Sequence, residues 1–289
     1  MWRLATLLLA LALAACGPRP QPAHPAFWEV EGPAGRKAWL FGTIHSLARP
    51  ALWRSPPIDG ALEEADVLVV EVAGVDDDEA MAQAFASLSQ SPGQPPLADR
   101  VEPKLRARLA ELMRKGGMTD SQFAKTETWA AALMLARAGS GELSSKYGID
   151  RAVIEAARDR KGMKIIELEG ADGQLRLFDA LPESEQRDLL ASVIADSASL
   201  DTESGSLAEA WRTGDMEPIE RETQRGMLAD PELRMVLFTL RNSNWTERII
   251  GLMADGARPF VAVGAAHMAG PEGLPALLEA KGYTVRRVQ

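Results

Sequence analysis

Three side chains able to move protons or bind a metal close three apolar runs in this sequence. His45 follows "WLFGTI" and His267 follows "FVAVGAA", each three residues after a glycine (Gly42 and Gly264), and Glu71 follows "VLVV". The chain has only three histidines, so two of them share one local pattern. Either alone reads more readily as a hydrogen-bonded structural residue; the repeated context is what marks the pair. Two imidazoles and a carboxylate form a common ligand shell for a divalent ion that keeps open positions for water or substrate, and Mn, Co or Zn would suit such mixed N/O donors. The bound water would lose its proton more readily, and a further carboxylate could accept it during attack on a carbonyl. The same residues also permit a metal-free scheme, in which a histidine takes the proton from water directly and a glutamate steadies it. Glu71 has a warrant of its own, because a carboxylate inside an apolar strand is costly to bury unless it is paired, hydrogen-bonded or metal-bound. A salt bridge to an arginine would meet that need as well.

The elements that must position these groups follow from the hydrophobic pattern. "AFWEVE", a Gly-Pro-Ala-Gly turn at 32–35 and "KAWLFGTIH" read as a hairpin, "PPIDGALEEA" as a short helix with Asp59 available as its cap, and "DVLVVEVAG" as a buried strand. Residues 76–235 are mostly helical by period. "DDDE" at 76–79 is a solvated helix start, lacking the glycine and ligand spacing of a calcium loop. Within this region "GIDRAVIEAARDRKGMKIIELEG" predicts a helix capped by Asp150, a Lys-Gly turn and a strand ending at Glu169. The helices of 183–256 form a cover layer. "RPFVAVGAAH" then supplies another buried strand, and "GPEGLPALLEAKGYTVRRV" a last helix and an edge strand. Sites in such α/β sheets gather beyond the carboxyl ends of the strands, which predicts that His45, Glu71 and His267 meet there.

The first residues stand apart. "MWRLATLLLALALAAC" reads as an export signal over 1–15, and its "LAAC" ending matches the bacterial lipoprotein box, so Cys16 is the expected lipidation site. "GPRPQPAHP" at 17–25 reads as a proline-rich tether, making 16–26 a linker that contains an idle His24 and leaving 27–289 as one domain. Cys16 is the only cysteine, which excludes an internal disulfide and a cysteine nucleophile. With 41 acidic against 32 basic side chains the protein is moderately acidic, arguing against a nucleic-acid partner. There is no Gly-x-Ser-x-Gly, Walker loop, His-Glu-x-x-His or dinucleotide fingerprint.

"WLFGTIHSL", "ADVLVVEV", "GIDRAVIEAARDRKGMKIIELEGADGQL", "LRNSNWTERI" and "FVAVGAAHMAGPEGLPALLEAKGYTVRRV" stand in the order and spacing of the TraB/PrgY/GumN family, over about residues 37–289. The sequence resembles a bacterial lipoprotein member of that family and is similar to the Tiki proteases of animals. The resemblance implies a Tiki/erythromycin-esterase-like α/β fold, with a central mixed sheet, helices on its faces and a helical cover. It also implies a metal-dependent peptidase or amidase acting on a peptide or other small envelope substrate. The family's motif residues fall on His45, Glu71 and His267, the expected metal ligands, on Glu169 and Gln174, and on Arg241 and Asn242; Gly170 stands where threonine is usual. Arg241 would pair with Glu71 or Glu169, or bind an anionic group. Localisation follows from the anchor: the cell envelope, with Gly17 after the lipid cysteine favouring the outer membrane, facing the periplasm. The erythromycin-esterase resemblance keeps the metal-free hydrolase open. A third reading is a non-enzymatic envelope protein that sequesters a peptide or assists polysaccharide export.

Overall fold

The computed structural model describes residues 18–139, 143–197 and 200–289. The expected signal segment and Cys16 lie outside the described residues. Eight strands occur among those described: β1 (Gln21–Pro22), β2 (Phe27–Gly32), β3 (Arg36–Thr43), β4 (Ala51–Leu52), β5 (Val67–Val70), β6 (Lys164–Glu167), β7 (Pro259–Gly264) and β8 (Thr284–Arg287). Six of them form one mixed sheet in the order β6-β5-β7-β3-β2-β8. The first four in that order run parallel, and β2 and β8 are antiparallel additions at one side. This is the mixed α/β fold with a terminal edge strand that the apolar runs predict.

Alternation along the strands supplies two faces, and each is covered by helices. Phe41, Leu68 and Phe260 point to one side and pack with Ile58 of helix Pro56–Glu64 and with Val153, Ile154 and Ala157 of helix Ile149–Arg158. Leu40, Val69, Val261 and Val263 point to the other, against Trp245, Ile249 and Met253 of helix Leu240–Ala254 and Leu274 and Leu278 of helix Leu274–Ala280. A third core is purely helical. Leu109, Trp129, Leu135, Leu189, Leu190 and Leu233 bring together helices Arg106–Lys115, Thr128–Gly139, Glu183–Asp196 and Pro231–Arg234. The apolar residues on several faces of 128–139 are thereby explained: that helix is surrounded.

Several local expectations change. Residues from Gln21 onward do not behave as a free tether: β1 pairs with β4, Ala23 and Ala26 are buried, and the His24 amide donates to Arg212 O at 2.7 Å. Docking makes physical sense because small side chains between prolines fit an extended groove and the proline φ is already fixed. Asp59 is not the cap of its helix; Ser55 holds that position, and Asp59 lies in the first turn, paired with Arg54 at 2.6 Å. Asp77 caps helix Asp78–Leu88 through the Ala80 amide, whereas Asp76 pairs with Arg158. Finally, β6 ends at Glu167, before Glu169. The next amides, of Leu168, Glu169 and Gly170, instead reach the Val70 and Glu71 carbonyls.

Candidate functional site

All four parallel strands deliver side chains to one region beyond their carboxyl ends. His45 follows β3, Glu71 follows β5, Glu169 follows β6 and His267 follows β7. The repeated Gly-x-x-His pattern now has a structural cause. β3 and β7 are neighbours in register, Gly42 opposite Val263 and Thr43 opposite Gly264. The turn after β7 packs closely on β3: a Cβ at Gly42 would stand 3.0 Å from both Cα and Cβ of Ala265, so any larger residue there would push that turn outward by a few tenths of an ångström.

Arg241 is the hub of the polar cluster. Its Nε and Nη2 fork onto Glu169 at 2.7 and 2.8 Å, Nη2 also donates to Glu71 Oε2 at 2.7 Å, and Nη1 donates to Leu237 O at 3.1 Å. The second Nη1 hydrogen faces His267 Nε2 at 3.3 Å. All five guanidinium hydrogens are thus engaged, and the plane lies over Trp245 with Cζ 4.6 Å from the ring centre. Burial opposes the charge on Arg241, yet the carboxylates of Glu169 and Glu71 hold its pKa above the ordinary arginine value. A turn of π-helix, Met235–Thr239, immediately precedes it; such turns often set the direction of a functional side chain.

Glu71 is buried and fully bonded. Oε1 accepts from the Gly264 amide at 2.8 Å, and Oε2 accepts from Gln174 Nε2 at 3.0 Å as well as from Arg241. Burial alone would raise its pKa. In the acid range where it titrates, however, His267 is protonated, and that imidazolium, Arg241, His45 and the Gly264 amide bring it down to about 2. Glu71 therefore remains a carboxylate at neutral pH, and its warrant is met by the salt bridge to an arginine.

His267 is fixed as one tautomer. Asn242 Nδ2 donates to Glu272 O at 2.7 Å, which turns Asn242 Oδ1 toward the ring, so His267 Nδ1 carries the hydrogen across the 2.6 Å contact. Nε2 keeps its lone pair. The ring stacks on Phe238 at 5.2 Å and leans on Trp245 at 4.6 Å. Burial there outweighs the pull of Glu71, Arg241 adds to it, and the pKa falls to about 4, leaving a neutral imidazole.

His45 is the opposite case. Its side chain is 67% exposed at the rim, and Nδ1 lies 2.9 Å from Asp150 Oδ2. This hydrogen bond, with the charge of Asp150, raises the pKa to about 9. Asp150 was expected to cap its helix. Gly148 holds the cap position instead, and Asp150, one residue inside the helix, spends Oδ2 on His45. The loop carrying His45 is clamped to this segment by backbone bonds, Ile149 N to Ile44 O at 2.9 Å and a mutual pair between Leu47 and Ser144.

These groups surround a cavity of about 580 Å³ lined at its polar end by Thr43, His45, Glu71, Gln174, Arg241 and His267. Glu169 lies behind Arg241. Of the residues expected from sequence, His45, Glu71, His267 and Arg241 meet here, with Gln174 and Asn242 as partners. Gly170, where the resembling family has threonine, adopts φ +73°, a conformation that a β-branched residue would strain to reach. Asp150, read from the sequence as a helix cap, is instead the partner of His45.

The donors are of a kind that metals accept, and His267 is oriented as metal-bound histidines are, with its other ring N–H on an oxygen. As arranged they do not fit a shared ion. Ligands of one zinc-like ion, each about 2.1 Å from it, lie within about 4.2 Å of one another. Among the described residues the one trio of His, Cys, Asp or Glu ligand atoms within 4.8 Å of one another is Glu185, Asp230 and Glu232, none of which lines the cavity. Arg241 already bonds both Glu71 and His267.

Among the described residues, no helix is long and apolar enough to cross a membrane. No curated protein and no solved structure matches the chain. The family model described as "TraB/PrgY/gumN family" matches residues 26–287, from just before β2 to the end of β8, and the chain therefore belongs to that family.

Proposed function

We propose that the protein is a hydrolase of ester or amide bonds, held at the cell envelope by a lipid on Cys16, with the outer membrane favoured, and that the His45–Asp150 pair is its proton-transfer device. The observation that carries this reading is the placement of His45. Its Nδ1 is committed to Asp150, which leaves Nε2 for a water in the cavity that Glu71 and Arg241 also line. A water at Nε2 gives up its proton as its oxygen attacks a carbonyl carbon, and the imidazolium then passes that proton to the leaving oxygen or nitrogen. Asp150 strengthens the base and holds the ring. Negative charge growing on the carbonyl oxygen is met by the second hydrogen of Gln174 Nε2, the first being spent on Glu71. Glu71 and Glu169 keep the guanidinium in place, and neutral His267 closes the network.

The metal-dependent hydrolase is the second reading. It is favoured by the His267 tautomer, whose Nε2 lone pair and buried ring suit a ligand, and it requires Arg241 to give up two of its partners. Assaying ester and amide panels with the purified protein before and after chelation separates the possibilities. The proposal expects activity that survives chelation and falls at least a hundredfold in His45→Ala. Activity abolished by chelator and restored by Mn, Co or Zn would overturn it in favour of the metal reading. No turnover by a well-folded protein would leave a binding role.

A further inference from the structure

Away from its polar end, the cavity changes character. Its wall is built by helices Thr128–Gly139, Gly170–Asp179, Leu200–Thr213 and Met216–Glu222 and the turn Gly226–Ala229, which present Leu133, Phe178, Leu207, Trp211, Ile219 and Met227. Helical backbone spends its donors and acceptors internally, and among the described residues no strand residue lines this part of the wall. The indole hydrogen of Trp211 is spent on Gly42 O at 2.8 Å. Among the described residues Glu222 is the one ionisable residue on this part of the lining, and it is engaged within the protein.

Such a wall selects against chains with regularly spaced polar groups. An extended peptide would bring an N–H and a C=O per residue, and a saccharide several hydroxyls per ring, with no partners for them. A hydrocarbon chain needs none. We infer that the buried part of the substrate is a fatty acyl chain longer than butyryl, lying along this wall with its ester or amide carbonyl at the His45 and Glu71 end. This rests on the hydrolase reading above and names the substrate class for it. Water adds to the acyl carbon, and the bond to the alcohol oxygen or amine nitrogen breaks with its electron pair. The leaving group takes the proton held by His45, and the products are a fatty acid and an alcohol or amine.

The test uses the full chain kept soluble by an amphipol, with cis-parinaric acid as a fluorescent probe of binding and p-nitrophenyl esters from acetyl to palmitoyl as substrates. The probe should bind the wild type, and Leu133→Trp and Leu207→Trp should each weaken it at least tenfold. kcat/KM should climb by up to about fourfold per added methylene until the cavity is filled, and both tryptophan variants should move the optimum to shorter chains. Rates flat across chain length with no probe binding would overturn the acyl assignment while leaving the hydrolase standing. Displacement of the probe by an apolar leucine-valine peptide at equal concentration would overturn it too. Tight, chain-length-dependent binding without hydrolysis of any ester or amide would support the acyl site and remove the hydrolase.

Discussion

Arg241 and His45 divide the chemistry of the site at the scale of single residues. The guanidinium sits against two carboxylates, with its Glu71 and Glu169 partners each only about a tenth exposed. Removing it should leave two buried negative charges without a counter-charge, so Arg241→Met is expected to cost on the order of 3–5 kcal/mol in urea unfolding. Glu71→Gln keeps the shape and should cost distinctly less. Arg241→Lys keeps the charge but not the fork onto Glu169, and should fall between them; a lysine variant as stable as wild type would argue against the fork. His45 makes a kinetic prediction. A general base raised to about 9 by Asp150 is mostly protonated at neutral pH, so kcat/KM should rise roughly tenfold per pH unit and level off near pH 9. Asp150→Asn should move that limb toward the ordinary histidine range and lower the plateau. A profile that instead falls above pH 9 would make His45 the acid.

At the scale of elements, the decisive contacts are between turns. A Cβ at Gly148 would lie 2.5 Å from His45 O and 2.7 Å from Asp150 Oδ1, so the cap of helix Ile149–Arg158 and the loop after β3 share one tight space. Gly148→Ala should destabilise by about 1–3 kcal/mol. By shifting His45 it should also lower kcat roughly tenfold to a hundredfold with little change in KM. Unchanged kcat in a folded variant would show that the clamp does not position the histidine. The same geometry explains what was legible in the sequence. His45, Glu71 and His267 stood out because each polar residue closes an unbroken apolar strand, and parallel strands bring such ends together. Asp150 was misread because an acid near a helix start satisfies local capping rules; only the crossing of two loops 105 residues apart turns it toward His45. Leu133 and Phe178 were unreadable as cavity residues, since an apolar helix face looks the same whether it meets a neighbour or an open space. Ala23 and Ala26 gave no period among prolines, which concealed the docking of that segment.

On the scale of the whole molecule, titration and architecture both have consequences for stability. His267 is lowered from 6.5 to about 4 in the folded protein. The unfolded chain binds that proton first, so stability is lost as pH falls from 6.5 toward 4, by roughly 3 kcal/mol in all. Glu71, lowered from 4.5 to about 2, extends the loss further into acid. His45, raised from 6.5 to about 9, acts in the opposite sense: its contribution is complete below 6.5 and disappears as pH rises to 9. Together these groups place their joint optimum near pH 6.5, and His267→Asn should flatten the acid side of a urea-unfolding series. The helical core around Trp129 is separate from the two cores of the sheet, and the cavity lies where helical cover and sheet meet. Hydrogen exchange should therefore show helices 106–115, 128–139 and 183–196 opening together at lower free energy than β3, β5 and β7. A cavity ligand should slow both sets. Uniform exchange across cover and sheet would mean that they open as one unit.

Trp211 belongs to the core on one face of the sheet, with its indole hydrogen on the Gly42 carbonyl of β3, and it also lines the cavity. Its emission is therefore sensitive to anything that fills the space or lifts the helix away. Of the seven tryptophans, this one can be isolated by subtracting the spectrum of Trp211→Phe. The protein thus carries an intrinsic optical reporter, able to follow occupancy in real time before any substrate has been identified.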